Sequence, residues 1–115
     1  MITEDTIVYN KGTHIKEDYT VQAFVIDGEV VDIFAIPKTF LQILNDSNLV
    51  EKNFEDGRYY IDAVKDNNVI EQISVPEKIG AILLSDPLLV ELSIAKNNYQ
   101  VVPGMKYIDG LVWSN

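Results

Sequence analysis

Apolar positions in this chain fall into short runs of two kinds. Tyr19 to Ile26 and Glu29 to Ile36 are dense in β-branched and aromatic residues and flank Asp27-Gly28. Both central positions of a two-residue type I′ turn need positive φ, and Asp-Gly supplies it, so this stretch predicts a β-hairpin. Pro37 then stops the second strand and suits a first helical residue, where the missing N–H is not needed. Phe40, Leu41, Ile43 and Leu44 follow at helical spacing and predict a short helix with one apolar stripe. That helix should end near Asn45-Asp46-Ser47, with Leu49 to Glu51 as the next strand.

The same run comes round again. Shifting the chain by 39 positions aligns Tyr19 to Lys52 with Arg58 to Glu91 without a gap, and seven pairs are identical: Val25/Val64, Asp27/Asp66, Val30/Val69, Pro37/Pro76, Ile43/Ile82, Leu44/Leu83 and Leu49/Leu88. About two would be expected by chance from ordinary residue usage. Asp66-Asn67-Asn68 stands where the first copy has its turn, and Asn tolerates the left-handed conformation. Ile79, Ile82 and Leu83 repeat the helical stripe, which should end at Ser85-Asp86-Pro87, and Leu88 to Leu92 repeat the last strand. We therefore read 19–52 and 58–91 as a duplicated β-β-α-β unit inside one domain, with Glu55, Asp56 and Gly57 as the turn between copies. Outside the repeat, Thr6 to Asn10 is a strand candidate. Tyr99 to Val102, Met105 to Ile108 and Leu111 to Trp113 are three more, separated by Pro103-Gly104 and Asp109-Gly110. The expected class is α+β, mostly antiparallel sheet with two short helices.

With Asp27-Gly28 as the loop, Val25 should face Val30, Val21 face Phe34 and Tyr19 face Ile36, leaving Phe24, Ile26, Val31 and Ile33 on the other side. Both faces of the hairpin are then apolar, and two short helices cover only one. The second face needs another layer or another subunit, so a homo-oligomer, most simply a dimer, is expected.

At 115 residues the chain is long enough for one domain with a real core. It has no cysteine, which removes disulfides, thiolate catalysis and cysteine metal sites. No run approaches the ~18 to 20 apolar residues of a membrane span, and the acidic start Met1-Ile2-Thr3-Glu4-Asp5 is unlike a secretory signal, so a cytoplasmic location is expected. A net charge of −9 disfavours nucleic acid and anionic membranes as partners and would suit a basic protein.

Candidate chemistry is sparse. His14 is the single histidine, and no serine sits in a Gly-x-Ser-x-Gly elbow to accompany it. Glycines are dispersed, without a phosphate-cradling loop, and Arg58 is the one arginine. In the second hairpin the register sets Asp62 opposite Glu71, and Asp32 is the first copy's counterpart of Glu71. Opposed carboxylates can share a proton or a cation, so Asp32, Asp62 and Glu71, with Tyr60 beside them, are the candidate ligand-binding residues. Equally, such a pair is met at solvated strand ends, and it lacks the compact oxygen-rich loop of a hard-cation site. No cofactor, metal site or catalytic residue is expected.

Two stretches carry a resemblance. Ala23-Phe24-Val25-Ile26-Asp27-Gly28-Glu29-Val30-Val31-Asp32-Ile33 and Pro103-Gly104-Met105-Lys106-Tyr107-Ile108-Asp109-Gly110-Leu111-Val112 resemble an early hairpin and a closing Gly-x-x-Tyr-x-Asp-Gly motif of short proteins encoded by tailed bacteriophages, marine phages among them. Met105 and Val112 stand where those proteins commonly have an aromatic. The resemblance implies a small virion, tail or assembly-associated protein, located in host cytoplasm or virion, without catalytic residues.

The reading favoured by these observations is a non-enzymatic structural or protein-interaction protein. Two others stay open: an acidic inhibitor of a host nucleic-acid-binding protein, and a small-ligand-binding module at the interface of the two repeats.

Overall fold

A computed structural model describes residues 1–9, 16–108 and 112–114. His14 and the Asp109-Gly110 turn lie outside them. The order is β1 (Ile2–Thr3), β2 (Val8–Tyr9), β3 (Tyr19–Ile26), β4 (Glu29–Pro37), α1 (Lys38–Asp46), β5 (Asn48–Glu55), β6 (Arg58–Lys65), β7 (Asn68–Pro76), α2 (Glu77–Leu84), β8 (Leu88–Leu92), β9 (Lys106–Ile108) and β10 (Val112–Ser114). The class is α+β with predominantly antiparallel sheets, as expected. No described helix is long and apolar enough to cross a membrane.

Turn chemistry explains the hairpins. Asp27 and Gly28 (φ 52° and 79°), Asp56 and Gly57 (53° and 77°) and Asp66 and Asn67 (51° and 64°) are consecutive left-handed pairs joining β3 to β4, β5 to β6 and β6 to β7. Pro37 and Pro76 sit one position earlier than expected: each is the extended residue before its helix and still pairs in the ladder, with Tyr19 and Arg58 respectively. The helices then start from matching anchors. The Lys38 N–H donates to the Asp18 carbonyl and the Glu77 N–H to the Gly57 carbonyl, both at 2.9 Å, so each first helical turn is tied to the start of its own hairpin.

Strands assemble into two sheets, β1-β7-β6-β5 and β10-β9-β4-β3-β8, with β2 also on β4. The last strand of each β-β-α-β run leaves its own hairpin: β5 pairs with β6, and β8 pairs with β3. Asn48 opposes Val64 whereas Leu88 opposes Val25, so Leu49 matches Leu89 in register rather than Leu88. Corresponding positions of the two runs thus lie 39 apart in the hairpin turns and helices and 40 apart in the last strands, the change falling at the helix-to-strand connection, where Asp86 adopts φ 54°.

A β-bulge corrects the expected register. Val25 opposes Val30, but Val31 is an extra residue, after which Val21 opposes Ala35 and Tyr19 opposes Pro37. The pleat therefore reverses, and Phe34 and Ile36 join Phe24 while Ile33 joins Val21 and Val25. The second hairpin carries its bulge at the same place, between Ala63 and Val64.

One core takes Phe24, Phe34 and Ile36 from one sheet, Ile61, Ile73 and Val75 from the other, and Phe40, Ile82 and Leu83 from the helices. The far face of the β3–β4 sheet forms a second core under the C-terminal segment: Val21, Ala23, Val25, Val30 and Ile33 meet Val101, with Tyr99, Met105 and Tyr107 packed against them. The layer that this face requires is therefore supplied from within the chain. Tyr99 to Val102 do not form the expected strand. Asn97 turns the chain at φ 56°, and the Asn98 side chain accepts from the Ser93 N–H (2.9 Å) and donates to the Glu91 carbonyl (3.0 Å), holding a compact loop.

Candidate functional site

Bulges also decide where the predicted site residues fall. Asp62 opposes Gln72, and Glu71 opposes Ala63, so Asp62 and Glu71 point to opposite faces of their sheet rather than meeting. Asp32 lies in the other sheet, 4% exposed, beside the main core. The four residues do not converge on one pocket.

What Asp32 and Glu71 share is a structural task just after the bulge. The Ile33 N–H donates to Asp32 Oδ1 (2.8 Å), and the Gln72 N–H donates to Glu71 Oε2 (2.9 Å). Each satisfies a backbone donor left irregular by the extra residue. Each also has one cation nearby, Lys78 Nζ at 3.8 Å from Asp32 Oδ2 and the N-terminal ammonium at 3.7 Å from Glu71 Oε2. Among the described residues, no group of three or more His, Asp or Glu is placed to hold a metal ion.

Tyr60 and Asp62 do stay together, two apart on β6, on the outer face of the β1-β7-β6-β5 sheet. They line a shallow hollow of about 100 Å³ with Asn53, Lys52, Gln72 and Met1. Asp62 Oδ1 is shielded from solvent and meets no hydrogen-bond donor among the described residues. Around this hollow the outer face carries Val50 (51% exposed) and Val69 (52%), with Val64 half-buried between them. Among the described residues, none gives this sheet face the apolar cover that the other sheet receives from residues 99–107.

At one end of the same face lies an ion pair that sequence reasoning missed. Arg58 donates through Nη1 to Glu4 Oε2 (2.8 Å) and through Nη2 to Glu4 Oε1 (2.7 Å), while Nε and Nη2 also reach the Ser74 hydroxyl and carbonyl. Hydrogen bonds from Arg58, then one from its own N–H, hold the Glu4 carboxyl down to about 2. The partners are 54 residues apart, and the sole arginine was the available signal.

A second concavity opens between the helix ends. Its volume is about 200 Å³, and Leu44, Leu49, Leu83 and Leu89 wall it. A wider groove of about 620 Å³ runs along β8, between Tyr19, Lys38, Leu92 and Ile94.

No family model, curated protein or solved structure matches this chain. The reading of function therefore rests on these surfaces.

Proposed function

We propose that this chain is a non-enzymatic protein-interaction protein that pairs with a second copy of itself through the outer face of the β1-β7-β6-β5 sheet. The observation carrying the reading is the unequal treatment of the two sheets: residues 99–107 pack over the far face of one, while the matching face of the other presents Val50 and Val69 more than half exposed. Local charge favours a second copy over a basic partner. The molecule carries −9 overall, yet on this face Arg58 is matched by Glu4 and Lys52 lies at the same hollow as Asp62, so two copies can approach here with little repulsion.

A duplicated β-β-α-β unit explains why the face exists. The matching turns, bulges and helix anchors support one ancestral unit used twice, with the C-terminal segment added over the first copy only. The resemblance of the hairpin and closing motifs to short tailed-phage proteins fits a role in a particle or its assembly, in host cytoplasm or virion.

Light scattering at micromolar concentration tests the proposal. The expected mass is twice 13.0 kDa, and the double substitution Val50→Lys with Val69→Lys is expected to halve it while leaving the far-ultraviolet circular dichroism intact. A parent protein of monomer mass, or a variant whose mass is unchanged, overturns it.

A further inference from the structure

Both helices end at the same cavity. Leu44 and Ser47 bring the last turn of α1 to it, and Leu83 and Asp86 bring the end of α2. Ser47 donates both its N–H and its hydroxyl to the Ile43 carbonyl, and Ser85 donates its hydroxyl to the Ala81 carbonyl and its N–H to the Ile82 carbonyl; the carbonyls beyond these in each last turn have no intrahelical donor. Each helix C-terminus carries the equivalent of roughly half a negative charge. Cations normally answer that charge, yet neither last turn contains a basic residue, and none of the residues lining the cavity is Lys, Arg or His. Asp86, exposed at the rim, adds a full negative charge. Beneath the rim, Leu44, Leu49, Leu83 and Leu89 supply hydrocarbon patches in a wall whose exposed surface is for the larger part polar, with Ser47 and Asn48 among its residues. A chamber with leucine patches in a mixed wall thus lies under a rim that is negative from three sources and neutralised by none of the residues lining it.

We propose that this cavity binds a small primary alkylammonium ion, with the hydrocarbon among Leu44, Leu49, Leu83 and Leu89 and the ammonium at the rim beside Asp86. A cavity near 150 Å³ holds benzene, so about 200 Å³ admits a chain of roughly six carbons. An ammonium has three donors and no acceptor, which suits a carboxylate beside two helix C-termini, whereas a carboxylate ligand would be repelled. This site is separate from the sheet face proposed for self-association, so either can fail without the other.

The test is a titration of the full chain with hexylammonium, hexan-1-ol and hexanoate, followed by leucine methyl NMR shifts at low and high salt. Hexylammonium should shift the methyls of Leu44, Leu49, Leu83 and Leu89 and bind about fivefold more tightly than hexan-1-ol at low salt, with the advantage shrinking as salt is added. Hexanoate should not saturate. Asp86→Asn keeps a residue that tolerates positive φ, so the fold should hold, and it should weaken hexylammonium several-fold while leaving hexan-1-ol unchanged. Equal binding of amine and alcohol, shifts centred elsewhere, no saturable binding of the amine, or indifference to Asp86→Asn would each overturn the proposal.

Discussion

Gly80 of α2 lies flush against Tyr59 of β6, so close that a Cβ at residue 80 would stand 2.8 Å from the Tyr59 Cβ and Cγ. At the equivalent positions of the first β-β-α-β run, 39 residues earlier, stand Leu41 and Thr20. Large strand residue with small helix residue in one run becomes small with large in the other. Gly80→Ala should therefore lower stability by about 1–3 kcal/mol through overpacking, against the ~1 kcal/mol that alanine ordinarily adds within a helix. In a Tyr59→Thr background the same substitution should become neutral or stabilising. Urea midpoints of the four proteins in this cycle measure the coupling, and additive effects would refute it.

The bidentate pair of Arg58 and Glu4 makes stability depend on acidity. Because the Glu4 carboxyl is held down to about 2 in the folded chain against 4.5 ordinarily, its contribution is complete above pH 4.5 and is lost as pH falls toward 2. The difference in urea midpoint between the parent and Glu4→Gln should be greatest near neutrality and close toward pH 2. Both side chains are about a third exposed, so added salt should shrink it as well. A difference that stays constant across this range would show that Glu4 contributes through packing rather than charge.

Asp62 invites a substitution that improves the protein. Its Oδ1 is shielded and meets no donor among the described residues, an arrangement that lowers stability. Asp62→Asn should leave the denaturation midpoint unchanged or raise it, and Asp62→Val should raise it further, by about 0.5–1 kcal/mol, since a β-branched residue suits a half-buried strand position. A fall in midpoint for Asp62→Val would contradict this account.

Two turns should respond unequally to alanine. Gly28 (φ 79°) and Asn67 (φ 64°) occupy the same second turn position of their hairpins. Alanine in the left-handed region is disfavoured by about 1–2 kcal/mol relative to glycine, and Asn already carries part of that strain. Gly28→Ala should lower stability more than Asn67→Ala. The Gly28 carbonyl also accepts from the Tyr107 N–H at 2.8 Å, so amide exchange of Tyr107 should quicken in the first variant alone.

How much of this was legible in the chain follows from the range over which each feature is determined. Asp27-Gly28, Pro37 and the Phe40-to-Leu44 spacing act within a few residues, and the hairpins and helices they predict are present to within one or two positions. The bulge at Val31 is different, because the residues on both sides are apolar and the pattern on either face looks unbroken; only cross-strand pairing reveals the extra residue. That single residue moved Phe34 to the opposite face, and its counterpart in the second hairpin separated Asp62 from Glu71. Of the candidate site, Tyr60 and Asp62 stayed adjacent because they lie on one strand two apart, whereas Asp32 depended on how two sheets assemble. The bond between Glu4 and Arg58 and the covering of Val25 by the C-terminal loop are equally non-local.

The pairing of β8 with β3 sets a clock on biosynthesis. Leu88 lies 63 positions after its partner Val25. At roughly 5–20 residues per second, a ribosome needs about 3–12 s to make that intervening stretch. For that interval the first hairpin exists with one long apolar strand edge bare, since its neighbour has not yet been made. The hazard of misassembly is thus concentrated early in each round of translation, and slowing elongation between codons 26 and 92 should lower the yield of folded protein more than slowing it after them.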